Sequence, residues 1–351
     1  MNMAASARFK LAEQQSADNK PIAAARILLS IASGPYENKF RERALFEAAV
    51  QYRTADSLLM AARTFERLSS AHPGSDLGDK ALYQAAMLRE TLQDWQLAAH
   101  NYLTLFDRYT ESALRQQSLK NAAQCYVNAE KWIAAKNLFL RYAELFPQNY
   151  QVIEFTCQGG DMASKAGQDE EALQLYQQTL QKYDQFSSSG QPVDPYFAAQ
   201  AQFMIGEIYF KEYQQIELTP PLQKNFERKV AAFNKTAKAY AEAIKFQIAD
   251  WSTAASHRVG MSFEEFVRAF LQSPVPADLD QEQQTLYREK LAERARGYQE
   301  KALQTYQKNI EQAEANGIDN SWVAQSRARV RALTDELAAK TASLNKTEDQ
   351  Q

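Results

Sequence analysis

The chain has 351 residues, more than one compact core usually holds, so its length favours either several domains or one extended array. Its 40 basic and 43 acidic residues are spread evenly and leave a net charge of −3, with no basic stripe to neutralise phosphates, which argues against nucleic acid as a partner. No run of 18 apolar residues could insert into a membrane, residues 1–10 lack the order of a secretory leader, and two cysteines, Cys125 and Cys157, exclude a disulfide-dense scaffold.

Ten prolines and eleven glycines are few and cluster near turns, as an almost all-helical chain requires. Ala61, Ala98 and Ala135 stand 37 residues apart, each inside the same apolar skeleton. Around the first stand Leu45, Ala49, Phe65 and Leu68; around the second Leu82, Ala86, Tyr102 and Leu105; around the third Leu119, Ala123, Phe139 and Tyr142. The same step reaches back to Ala24 and forward to Ala172. Self-similarity at this period implies stacked supersecondary units, each of which needs its neighbours to bury its apolar face.

In chain order, five units are expected over residues 8–184. In the second, residues 41–52 form one helix and 58–69 its partner, which His72, Pro73 and Gly74 stop, Gly74 supplying a left-handed residue. Ser75 or Asp76 then caps the next helix. Trp95 and Trp132 recur 37 apart, as rings packed between units. Regularity breaks at residues 187–192. Two irregular units follow over 195–315, carrying a helix from Pro195 with Gly206, an insertion at 214–223, a partner helix over 230–244, a helix over 251–270 with Gly260, a second insertion at 273–278, and a long helix over 280–315. A capping helix at 321–340 and a disordered polar tail at 341–351 complete the reading.

This skeleton resembles the tetratricopeptide repeats. The resemblance implies an all-α, right-handed superhelix of about seven helix-turn-helix repeats plus a carboxyl-terminal cap, with the first helix of each unit lining a concave groove for protein partners. The wording of residues 72–83 is similar to bacterial cell-envelope members, such as the repeat protein that accompanies the Tol-Pal system. Residues 274–322 resemble the carboxyl ends of large gliding-motility repeat proteins. An envelope or periplasmic location follows from that resemblance.

If the first helices line the groove, its inward positions are Arg43, Phe46, Val50 and Arg53, then Lys80, Tyr83 and Met87, then Gln117, Lys120, Gln124 and Val127. Amides there suit a peptide backbone, while Phe46, Tyr83 and Met87 offer apolar pockets. The expected partner is a protein or peptide. No residue set suggests a metal, a cofactor or catalysis. His72, His100 and His257 are scattered and expected on the surface, and no phosphate loop, nucleophile elbow or cysteine pair occurs. Two other readings stay open: an accessory repeat domain of a larger enzyme, and a glycan-binding envelope protein that stacks sugars on Trp95, Trp132 and Trp322.

Overall fold

The computed structural model describes residues 2–348, with side chains for 3–339. Among the described residues there are fifteen α-helices and no strand. Two compact units divide the chain, Met1–Pro147 with Asp161–Gly167, and Gln148–Gly160 with Gln168–Gln351.

The first unit contains α1 (Asn2–Ala17), α2 (Pro21–Ala32), α3 (Asn38–Thr54), α4 (Leu58–Ala71), α5 (Gly78–Thr91), α6 (Trp95–Arg108), α7 (Arg115–Asn128), α8 (Trp132–Leu145) and the end of α9 (Val152–Lys165). The turn inside each helix pair is a copy of the last. Asn19, Asp56, Gln93 and Glu130 take φ values of 59°, 55°, 59° and 55°, and Gly167, one further step of 37 along, takes 76°. After the first four, the next N–H closes onto a carbonyl five residues back: Lys20 onto Gln15, Ser57 onto Tyr52, Asp94 onto Arg89 and Lys131 onto Tyr126, at 2.8 to 2.9 Å. This is the Schellman closure, which needs a left-handed residue. The left-handed position is therefore inside each pair and not at Gly74, whose backbone is ordinary.

The repeated alanines follow directly from this turn. Ala24, Ala61, Ala98, Ala135 and Ala172 are fully buried and donate their N–H to the carbonyl of the residue that precedes each second helix. Four residues on, Leu28, Phe65, Tyr102 and Phe139 point back into the pair. The first helices answer with small buried residues, Ala49, Ala86 and Ala123, which leave room for the larger side chain. Side chains tie neighbouring pairs with the same period: Ser75 Oγ donates to Glu42 Oε2 at 2.8 Å and Ser112 Oγ to Asp79 Oδ2 at 2.6 Å. Ser75 Oγ also accepts from Leu77 N at 3.2 Å, but α5 begins only at Gly78 and has no side-chain cap.

The second unit holds the start of α9, then α10 (Asp169–Ser188), α11 (Tyr196–Gln214), α12 (Leu222–Ile244), α13 (Ala249–Gln272), α14 (Gln281–Ala315) and α15 (Ser321–Glu348). Here the small residue is glycine and the ring is tyrosine. A Cβ on Gly160, Gly206 or Gly260 would lie 2.5 to 2.6 Å from Cε1 of Tyr176, Tyr240 or Tyr306. The first insertion is shorter than expected, because α12 starts at Leu222 and not near 230; Leu222 and Phe226 continue its apolar stripe onto the core. A capping box of Asp280 and Gln283 starts α14. Helix α15 runs on to Glu348, through most of the segment expected as a disordered tail from 341; residues 349–351 lie outside the described residues.

Candidate partner-binding face

The eleven groove positions all fall on the first helices α3, α5 and α7 of the first unit. Arg43, Arg53, Lys80, Met87, Gln117 and Gln124 are exposed, and Phe46, Val50, Tyr83, Lys120 and Val127 are half-buried. Two contacts knit the three helices into one surface: Arg53 Nη1 donates to Gln84 Oε1 at 2.5 Å, and Asn121 Nδ2 to Tyr83 Oη at 3.3 Å. Along α7, Gln117 donates to Asn121 and Gln124 to Asn128, a ladder of amides four residues apart.

The apolar anchors are unequal. Phe46 meets Phe65 edge-on with centroids 5.2 Å apart, and Tyr83 meets Tyr102 at 5.4 Å, so both rings face partly inward. Met87 is 45% exposed and is the open apolar group of the three. Arg43 lies over Phe9 at 4.7 Å and pairs with Glu47 at 2.6 Å. Lys120 lies over Tyr142 at 5.4 Å. The Lys80 side chain has no partner among the described residues.

Two histidines are buried, against expectation. His72 lies 3.6 Å from Glu42 in the stop between pairs. His257 stands 3.0 Å from Ser326 Oγ, under Tyr306 and Trp322, because α14 and α15 cover the face of α13 that bears it. Burial, with Arg258 adding to it, pushes its pKa down to about 4. His100 is exposed. Both cysteines are fully buried, and burial, with Glu90 beside it, raises the Cys125 thiol well above its ordinary pKa, so it stays protonated. Among the described residues no group of three or more His, Cys, Asp or Glu could hold a metal ion, and no helix is long and apolar enough to cross a membrane.

Sequence reasoning missed the charged residues of the second unit. Lys229 is completely buried, donating to Glu265 Oε1 at 2.5 Å and to the Tyr213 carbonyl at 3.0 Å, and Arg268 grips the same carboxylate. Burial lowers the Lys229 pKa while Glu265 opposes the fall. Glu207 joins Tyr240 Oη to Arg258, and Glu264 joins Tyr306 Oη to Arg329. Each carboxylate lies within four residues of the glycine against which the tyrosine packs, a signal visible only once the ring's partner is known.

Helix pairs that repeat at 37 residues in the first unit, and small residues set against large apolar ones in both units, define the architecture. The fold is a tetratricopeptide-like helical repeat. Similar solved structures include a MamA protein, 11% identical over 55% of this chain and 99% of that one, with a TM-score of 0.36. A tetratricopeptide repeat protein from Parabacteroides merdae is 13% identical over 83% of this chain and 99% of that one, at 0.34. A Rap protein complexed with Competence and Sporulation Factor is 14% identical over 90% and 81%, at 0.33. No protein-family model matches the chain, and no curated protein sequence matches it.

Proposed function

We propose that the protein is a non-catalytic interaction scaffold whose first-helix face on α3, α5 and α7 holds an extended peptide or a partner domain. The observation that carries this reading is the row Lys80, Met87, Gln117 and Gln124, exposed on consecutive first helices that Arg53–Gln84 and Tyr83–Asn121 hold side by side. Base, thioether and amides on a rigid surface suit an irregular peptide, which needs backbone hydrogen bonds and one apolar socket. The similarity of residues 72–83 to envelope repeat proteins supports a place in a bacterial envelope assembly, in maintenance or motility. The glycan alternative has less support: Trp132 is half-buried with Lys165 over its ring at 4.8 Å, and Trp322 packs on Phe203 and His257.

The test contrasts two faces. Lys80→Glu with Met87→Glu alters the first helices, and Leu59→Glu with Leu97→Glu alters exposed apolar residues on second helices. Quantitative mass spectrometry of proteins captured from bacterial envelope extract should show a several-fold loss for the first pair and retention for the second. The opposite pattern would move the binding surface to the second helices.

A further inference from the structure

We infer that the second unit carries a recognition site of its own: a cleft between α11, α13 and α15 that takes an acidic peptide segment, an aspartate or glutamate side chain next to an apolar one. The cleft has a volume of about 640 Å³, within the range of ligand sites. Phe210, Met261 and Trp322 form its apolar wall, and Arg258, Arg329 and Gln325 its polar one.

The ligand's charge follows from counting donors and acceptors. Both carboxylates that line the cleft are already occupied by fixed donors. Glu264 accepts from Tyr306 Oη at 2.6 Å and from Arg329 Nε and Nη2 at 3.0 and 2.5 Å. Glu265 accepts from Lys229 at 2.5 Å and from Arg268 at 2.6 and 2.7 Å. The arginines are not used up in the same way, since a guanidinium carries five N–H groups. The Nη1 of Arg329 has no hydrogen-bond partner among the described residues. Arg258 gives Nη2 to Glu207 at 2.6 Å and Nη1 to the weak acceptor Met261 Sδ at 3.2 Å, while its Nε has no partner. Among the charged groups of the cleft the unspent capacity is therefore donor, on Arg329 and Arg258, although the Arg258 Nε is itself buried, and the group that matches it is an acceptor with negative charge.

Geometry adds the rest. The Arg258 guanidinium lies over two rings, 5.6 Å from Phe210 and 5.7 Å from Trp322, and is bonded to Glu207, so it is already oriented and little freedom is lost when a carboxylate arrives. A lone small anion would leave the apolar wall in water. An acidic side chain with an apolar neighbour fills both parts, and the exposed amides of Gln214 and Gln325 stand at the rim for its backbone.

An array of randomised octapeptides, capped at both ends so that no terminal carboxylate contributes, tests this on the full chain, with fluorescence anisotropy for affinities. Bound peptides should be enriched in Asp or Glu beside Phe, Leu, Trp or Met. Gln325→Glu places a competing carboxylate one helical turn from Arg329 and should weaken them about tenfold or more, as should Arg329→Gln, while Lys80→Glu with Met87→Glu leaves them unchanged. Circular dichroism checks that each variant folds. The inference is overturned if no acidic enrichment appears, or if Gln325→Glu binds the acidic peptides as tightly as the native chain. Sensitivity to the Lys80 and Met87 changes alone would overturn it too, by assigning those peptides to the first-helix face of the other unit.

Discussion

The first unit copies one set of contacts every 37 residues, from the left-handed turn residue to Ser75 and Ser112, which tie successive pairs. The second keeps the small-residue-against-ring motif but surrounds it with ion pairs at no fixed spacing, Glu207 with Arg258 and Glu264 with Arg329, each beside a buried tyrosine, and Lys229 with Glu265. In a copied array, stability is close to a sum of unit and neighbour terms, and any pair resembles any other. Where the helices lengthen to the 35 residues of α14 and loops intrude, the period no longer specifies how pairs meet. The first unit also holds a buried ion pair, Arg89 with Glu66 and Asp94, but in the second such pairs include a fully buried lysine, Lys229, at a desolvation cost that only complete pairing offsets.

The sharpest way to break this contrast is Glu265→Gln. Lys229 is 0% exposed and Glu265 5%, so the change leaves a buried ammonium without its carboxylate. A loss of about 3–5 kcal/mol is expected in urea unfolding. Glu42→Gln in the first unit, where a part-buried Ser75 hydroxyl is the donor, should cost about 1 kcal/mol. Replacing Lys229 and Glu265 together by Met and Leu should recover most of the larger loss. Equal costs for Glu265→Gln and Glu42→Gln would erase the distinction between the units.

Acid should separate them next. His257 has its folded pKa lowered from 6.5 to about 4, so folding favours the neutral ring. Its contribution is then fully present above pH 6.5 and is lost as pH falls towards 4, by roughly 3 kcal/mol at the limit. Arg258, Arg329 and Glu264 are the charged groups around it. Hydrogen exchange should show amides of α13 to α15 losing protection over that window while α4 to α6 hold, and His257→Asn should flatten the response. A uniform loss along the chain would point to a cause other than this ring.

The contrast also explains what could be read in advance. Periodic contacts leave a periodic trace, so the helix pairs of the first unit and the alanine at the start of each second helix were legible. The burial of His257 was not, because Ser326, Tyr306 and Trp322 approach from helices 49 to 69 residues on, in no repeating register. The start of α12 was hidden behind Pro220 and Pro221, which read as loop although the helix begins directly after them. On the candidate face, sequence position identified first-helix residues but could not show that Phe46 and Tyr83 turn partly inward onto rings of the second helix. Arg258 and Arg329 lie 71 residues apart, and no motif links them before α15 folds onto α13.

The smallest expected effect tests how far the copies in the first unit are interchangeable. Four turns place a residue with a Cβ where the fifth places Gly167, and a left-handed conformation costs most L-residues about 1–2 kcal/mol. Glycine removes that strain but gives back part of the gain as unfolded-state entropy, so Gln93→Gly and Glu130→Gly should each stabilise by about 0.5–1 kcal/mol. Both side chains are exposed, and neither change removes a packed group. Asn19→Gly should gain least, because asparagine already tolerates this conformation, with Asp56→Gly in between. If the turns are true copies, the gains at Gln93 and Glu130 will match and will add in the double variant, since the sites share no partner. Unequal or non-additive gains would show that neighbouring pairs strain one another, and that the first unit is less a sum of like parts than its period implies.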